Sequence, residues 1–334
     1  MMLPFLPRLI CICLAALFLV NLFSGSVVCL MAPWLVRFAA RMRAGIAVSL
    51  LISFRLLPPA LTLLTVAWIA ANYPRLEPKL PVERVGAVCF LCAFLGTFVW
   101  GSSLVKGCRS WIKARRYLKN CRRAGVATRL PGERIPALVV ASQAPFFLMA
   151  GIFQQRLIVS QSVIRVLSTA ELAVAVRHER AHRVGRDNLK RLLILLSPGL
   201  LPFVSGFKTL DDGWTRLAEW AADDRAVAGN PQRSFLLAQA LVRLARESVC
   251  PAGVAVGSTL LGSAQNLSVR VDRLLNGVAP RNRLSNGNPF VVAAAVLMLA
   301  ICLVSVAELP STLRGLHRVL ERFHRAGNIG HSRS

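Results

Sequence analysis

Three uninterrupted apolar runs, Leu9–Met31, Gly86–Val105 and Pro289–Ala307, constrain this chain more than any other feature. A bilayer's hydrocarbon core is about 30 Å thick, and a helix needs roughly 20 apolar residues to cross it. Each run is long enough and predicts a transmembrane helix. A fourth span is predicted over residues 46–72, strongest at Leu56–Ala71. It contains Arg55 and Pro58-Pro59, so either a kink or a start after the arginine is expected. The composition agrees: 55% of the 334 residues are hydrophobic and only 17% are charged, which describes a membrane protein better than one large soluble core. Arg8 before the first run and Ser24-Gly25-Ser26 within it imitate a cleaved signal peptide. Apolar character resumes through Val27–Met31, however, beyond the roughly 7–15 residues of a signal's apolar core, and a retained anchor is expected.

The formal charge of +26 would suit a nucleic-acid binder, but its distribution argues otherwise. Of 41 Lys and Arg, 28 lie between Lys106 and Arg283, in the one long stretch between spans, together with 11 of the 15 acids. No aromatic-rich nucleic-acid module accompanies them, so no direct nucleic-acid binding is expected. Basic segments beside spans stay on the cytoplasmic side, where anionic lipid attracts them. "KGCRSWIKARRYLKNCRR" reads as such a juxtamembrane collar, with the lipid bilayer as its partner. The expected topology is four spans in a bacterial-type inner membrane, with residues 106–288 and the loop carrying Arg37, Arg41 and Arg43 in the cytoplasm. The basic tail, 308–334, then faces outward, although its five arginines against two glutamates pull the other way. His317, His324 and His331 recur every seven residues there and read as one stripe of a surface helix. The nine cysteines form no disulfide framework; Cys89-x-x-Cys92 has metal or redox spacing but sits inside a span without a second pair, and a packing role is expected.

Within the long stretch, "RIPALVVASQAPFFLMAGIFQQRLIVSQ" holds short apolar runs (Ala137–Ala141, Phe146–Met149, Leu157–Ser160) broken by Pro, Gly and Gln. They predict a small β-ribbon. Ser168-Thr169-Ala170-Glu171 has capping-box spacing, which starts a helix at Thr169 that runs to Gly185. The broken apolar residues 192–207 suggest a buried or half-inserted helix pair. Further helices are predicted over 213–228, 231–247 and near 267–275. The fold class expected is mostly α, a multi-pass membrane protein with a cytosolic α+β domain.

The helix from Thr169 carries "RHERAHRVGRDN". Positions four apart share a helical face, so His178 and His182 can both present a ring nitrogen to one ion. Glu179 is offset by one position and can reach a water on that ion without being a ligand. Two neutral imidazoles and a carboxylate base are what a zinc-dependent hydrolase requires. A basic amphipathic helix lying on the membrane is the competing reading, because Arg177, Arg180, Arg183 and Arg186 surround the pair. A zinc site also needs a third protein ligand, and downstream lies "RLAEWAADDRAVA". Glu219 and Asp223 share one helix face there, while Asp224 points elsewhere. Glu219 can complete the ligand set, and Asp223 can accept the free N–H of a ligating imidazole, most readily that of His178. Trp220, Ala221 and Ala222 make this stretch too apolar for an ordinary solvated face.

"RHERAHRVGRDN" followed, 37 residues after His182, by "EWAAD" resembles membrane gluzincins, in which His-Glu-x-x-His pairs with Glu-x-x-Ala-Asp. The chain is most similar to BlaR/MecR-type antirepressor metallopeptidases. The similarity includes "GIFQQRLIVS", "RDN" and "SVRVDRLLN", spans roughly Pro145–Asn276, and extends to the four-span layout. The resemblance implies one Zn²⁺ held by His178, His182 and Glu219, with Glu179 as general base and Asp223 as the orienting partner. The outer penicillin-binding sensor of the best-known members has no counterpart in the 27 residues of the tail, so β-lactam sensing is not expected and a separate sensor protein could supply the signal.

The expected activity is hydrolysis of peptide bonds in a cytosolic protein substrate, by analogy a transcriptional repressor. An HtpX-type housekeeping membrane protease and a non-catalytic receptor built on the same scaffold are the alternatives. For the oxyanion of the reaction the chain offers no downstream tyrosine, which leaves Arg270 and Arg273. The substrate chain is expected to pair with the ribbon's edge near Leu157–Ser160.

Overall fold

A computed structural model describes residues 5–76, 86–130, 136–201, 206–247, 258–259 and 264–276. The apolar run 289–307 and the tail lie outside them. The described chain is mostly helical, with three helices long and apolar enough to cross a membrane and one small mixed sheet.

The three long helices are α1 (Phe5–Ala39), α2 (Ala44–Leu76) and α3 (Ala87–Ala124), of 35, 33 and 38 residues. Each outruns the apolar segment that predicted it. The helix α2 continues unbroken through Arg55 and Pro58-Pro59, and α3 carries the basic collar as an extension of its span. The turn Ala40–Arg43 reverses the chain, and the ring of Phe5 meets that of Tyr73 at 5.2 Å, so α2 runs back along α1. By contrast, α3 runs in the same direction as α1. Gly96 lets the carbonyl of Leu14 approach α3 so closely that a Cβ would collide with it, and the Trp100 indole donates to Leu17 O at 3.2 Å. Small residues and inter-helix hydrogen bonds of this kind hold helices together where lipid supplies no hydrophobic drive.

Beyond α3 the chain forms β1 (Val126–Thr128), β2 (Ala137–Val140), β3 (Phe147–Ala150) and β4 (Arg156–Ser160). It continues with α4 (Gln161–Val166), α5 (Thr169–Gly185), α6 (Asp187–Leu196), α7 (Lys208–Val227), α8 (Pro231–Glu247), β5 (Ser258–Thr259) and α9 (Ala264–Leu275). The sheet order is β1-β2-β4-β3-β5. A hairpin joins β3 to β4 in antiparallel register, with Phe147 opposite Val159, and its turn needs Gly151 at φ 96°. β4 pairs on its other side with β2, in parallel. The Leu157–Ser160 segment is therefore the middle of the sheet, and the expectation that a substrate pairs there is corrected. Local apolar runs identify strands but carry no information on which strand lies between which.

Alternation along the strands divides the sheet into two faces. Leu148, Ala150 and Ile158 pack on Leu118 and Cys121 of α3. Phe147, Met149, Leu157 and Val159 join the core with Leu172 and Val176 of α5 and Leu237 and Leu241 of α8. The sheet thus links the collar of α3 to α5.

Helix α5 starts where the capping box predicts. Ser168 Oγ accepts from Glu171 N at 3.3 Å, and Glu171 Oε2 accepts from Ser168 N at 2.8 Å. Such a cap stabilises a helix by about 1 kcal/mol. It ends at Arg186, whose left-handed φ of 53° turns the chain directly into α6. Where a helix pair is predicted over 192–207, the described residues show α6 at 187–196, which stops before Ser197-Pro198, and residues 202–205 lie outside them. The segment after it is tucked against the membrane helices, with Asn21 of α1 donating to Gly199 O at 2.7 Å. Helix α7 begins five residues before its expected start, because its first turns are held by the membrane helices. Arg55 of α2, only 4% exposed, donates to Asp211 Oδ1 at 3.0 Å and stacks over Phe207, while Gly213 lies against Val36 and Leu51. Burying the Arg55 guanidinium costs desolvation that its attraction to the half-buried Asp211 only partly offsets, so the contribution of the pair is register, fixing α7 against α2.

Candidate metal centre

The two histidines stand one turn apart on the inward face of α5, and both are essentially buried. Arg177, Arg180 and Arg186 are exposed on the other side of the chain. The pair is therefore part of the core between α5 and α7 rather than of a cationic lipid-facing surface. The helix α7 brings Glu219 and Asp223 to the same place, again one turn apart and both buried.

The facing atoms form a triangle. His178 Nε2 lies 3.1 Å from His182 Nε2, and Glu219 Oε2 lies 3.5 and 3.7 Å from those two nitrogens. A tetrahedral ion bonded at about 2.05 Å sets its ligand atoms roughly 3.3–3.4 Å apart, so the triangle has the size of one face of such a polyhedron. These three residues can hold a metal ion.

The outer nitrogens explain why. His178 Nδ1 is 3.0 Å from Asp223 Oδ1, and His182 Nδ1 is 2.7 Å from Asp187 Oδ2. The bond to Asp187 holds the ring hydrogen of His182 on Nδ1, and the charge of Asp223 beside His178 Nδ1 favours the same tautomer, which leaves each Nε2 as a lone pair. Two lone pairs 3.1 Å apart beside a carboxylate oxygen repel one another unless a cation sits among them. A proton can serve in its place. Burial alone would lower His182, but Glu219 and Asp187 outweigh it and push its pKa up to about 10. Burial would likewise raise Glu219, yet His182, His178 and Arg270 hold it well below the usual carboxylate range. The donor set fits a divalent ion of the zinc type, with two imidazoles and one ionised carboxylate.

Glu179 is placed differently. Its Oε2 accepts from Met149 N of β3 at 3.0 Å, while Oε1 is buried with no hydrogen-bond partner among the described residues. Burial pushes its pKa up to about 7. One oxygen is anchored and the other is free, near the pH at which a base exchanges protons most readily. Asn188 completes the junction by donating to Met149 O and Gly151 O at 2.9 and 2.8 Å. β3 is thus the strand beside the triangle, and β5 pairs with it at Leu148 and Met149.

Of the residues singled out in the sequence, His178, Glu179, His182, Glu219 and Asp223 converge. Arg270 also arrives, in another capacity. It is 1% exposed and grips Asp223 through Nε and Nη2 at 2.9 and 2.7 Å, with Nη1 3.2 Å from Glu219 Oε2. It holds the two acids in place. Arg273 does not join the site: it pairs with Asp224 and lies over the Trp220 ring at 5.2 Å. The i, i+3 spacing of the two arginines put both within reach of α7, but only the contacts separate their tasks.

Asp187 and Arg191 were not anticipated. Gly185 makes room for Asp187, since a Cβ there would stand 2.9 Å from its Oδ1, and the left-handed Arg186 turns it back onto His182. Asp187→Ala should keep the fold and weaken metal binding by about 10–100-fold, as loss of an imidazole's carboxylate partner does. Titration of the apo-protein with zinc against a competing chelator measures this, and unchanged affinity would remove Asp187 from the site. Arg191 of α6 places Nη2 3.7 Å from Glu219 Oε1, with its side chain 24% exposed.

No protein-family model matches the chain, and no curated protein matches it significantly.

Proposed function

We propose that this chain is a membrane-embedded zinc metalloendopeptidase that hydrolyses peptide bonds of a cytosolic, repressor-type regulatory protein. The observation that carries the reading is the pairing of three converging lone-pair donors with a buried carboxylate, Glu179, that keeps one oxygen free. A scaffold needs no such oxygen. Zinc bound at the triangle would polarise a peptide carbonyl and lower the pKa of a water molecule toward about 7. Glu179 Oε1 is then the atom that receives the water's proton and returns it to the leaving amine. Met149 N–H keeps the carboxylate aimed throughout. Arg270 is held by Glu219 and Asp223, so among the described residues the cation we assign to a developing oxyanion is Arg191, the more exposed neighbour of Glu219. Arg191→Ala should lower kcat by about 10²–10³ with little change in zinc affinity; an unaltered kcat would assign that task elsewhere.

Orientation follows from charge. The collar of α3, the Arg37–Arg43 turn and the metal-bearing helices share one end of the bundle, which the excess of cations assigns to the cytoplasm. A fourth span at 289–307 belongs to this reading, as does an activating signal delivered by a partner on the outer side. The full chain, purified in detergent micelles with zinc, should cleave an unstructured protein such as casein. A chelator should stop it, and zinc but not magnesium should restore it. Cleavage that survives complete metal removal would end the proposal.

A further inference from the structure

We propose that Cys11 and Cys89 form a disulfide that ties α1 to α3. Their sulfur atoms face each other at 3.7 Å across the helix interface, 78 residues apart in sequence. A disulfide bond is about 2.05 Å long, so the sulfurs must close by only about 1.7 Å, within reach of a small side-chain rotation. The helices are held in register over the turns that follow the pair. Cys11, Cys92, Ala15, Ala93 and Phe18 form one packed cluster, and the Gly96–Leu14 approach and the Trp100–Leu17 hydrogen bond fix the next two turns. The two thiols are therefore held in contact in the folded protein.

Their depth matters as much as their distance. Cys89 belongs to the first turn of α3, its N–H bonded to Gly86 O, and Cys11 is the third residue of the apolar run that opens at Leu9. Both lie within about one helical turn, roughly 5 Å, of the end of the spans. That end is the one where Phe5 meets Tyr73. The opposite end carries the Val36–Gly213 contact with α7 and, through it, the metal ligands. With the metal centre in the cytoplasm, the thiols face the outer compartment, where protein disulfides form and persist. Only this compartment rests on the orientation proposed above; the thiol contact does not.

The oxidant is a dithiol–disulfide carrier protein of that compartment. The Cys89 thiol, the less buried of the two, loses its proton and attacks the carrier's disulfide. A mixed disulfide forms and one carrier thiolate leaves. Cys11, deprotonated in turn, attacks Cys89 Sγ and expels the carrier's second thiolate. The two cysteines lose two protons and two electrons, and the carrier disulfide becomes a dithiol. The resulting bond closes a loop that runs through all of α2 and ties α1 to α3 at the outer end of the bundle.

The test traps free thiols with N-ethylmaleimide in intact cells that make the full chain, followed by peptide mass mapping without reductant. The expected result is a Cys11–Cys89 cross-linked peptide, with alkylation of both sites rising from near zero to complete after reduction. Cys11→Ser and Cys89→Ser should each lose the cross-link, and Cys92→Ser should keep it. Full alkylation of Cys11 and Cys89 in unreduced wild type would overturn the proposal, as would a cross-link that joins Cys89 to Cys92 instead. Zinc content of the same preparations reports on the metal centre separately.

Discussion

Glu179→Gln should leave zinc in place and reduce peptide cleavage by about 10²–10⁴, the usual contribution of a positioned general base. The substitution keeps the shape of the side chain, and its amide oxygen can still accept the Met149 N–H that the carboxylate accepts at 3.0 Å. What it removes is the capacity of the second oxygen, buried and without a hydrogen-bond partner among the described residues, to take a proton. Metal analysis and a turnover assay on the same sample distinguish this from loss of the site. Glu219→Ala in parallel should lose zinc and activity together. Equal turnover by Glu179→Gln and wild type would refute the enzyme reading and leave a metal-stabilised receptor. The same carboxylate also sets a pH dependence. Burial raises Glu179 to about 7, so it is the proton-accepting form that is depleted as pH falls through that value, and cleavage declines on the acid side.

Arg270→Ala is expected to be the most destabilising single change in the part of the chain that follows α3. Its guanidinium is buried and is the cation shared by Asp223 and Glu219. Arg270 and His178 together hold Asp223 down to about 2 against a burial effect that would raise it. Removing one member of a buried charge pair leaves the other uncompensated and costs about 3–5 kcal/mol. In thermal unfolding of the detergent-solubilised protein this should lower the midpoint by on the order of 10 °C. Bound zinc would supply positive charge at the same place, so added zinc should recover part of the loss in the variant. A midpoint within a degree or two of wild type would show that α9 is held by its apolar contacts alone.

Much of the site was legible because its residues come in two local patterns. The i, i+4 spacing in "HERAH" and again in "EWAAD" commits each pair to one helix face before any tertiary structure exists. The capping box at Ser168-x-x-Glu171 fixes the phase of that face by setting where α5 begins. Those signals act over one or two turns, the range over which helix geometry is determined by neighbours in sequence. The three long apolar helices were legible for a similar reason: an apolar run must satisfy its own backbone hydrogen bonds in lipid, and a helix does so without partners.

Other features depend on contacts between distant segments, and there local pattern is silent. Asp187 reaches His182 only because Arg186 adopts a left-handed conformation, which no spacing rule announces. Arg270 and Arg273 look equivalent in sequence; packing buries one among three carboxylates and sends the other to Asp224 and Trp220. The β4 strand is interior because β2 crosses over to pair with it, and Glu179 is anchored by a strand 30 residues away. The amino-acid sequence by itself determined which segments are helical, which faces are apolar and which side chains are able to bind a metal, since each follows from bonding within a few residues. Only the tertiary structure decided which of those side chains meet and which sulfurs touch. Those outcomes depend on how rigid helices dock against one another, and docking is set by the whole surface of each element rather than by any stretch of it.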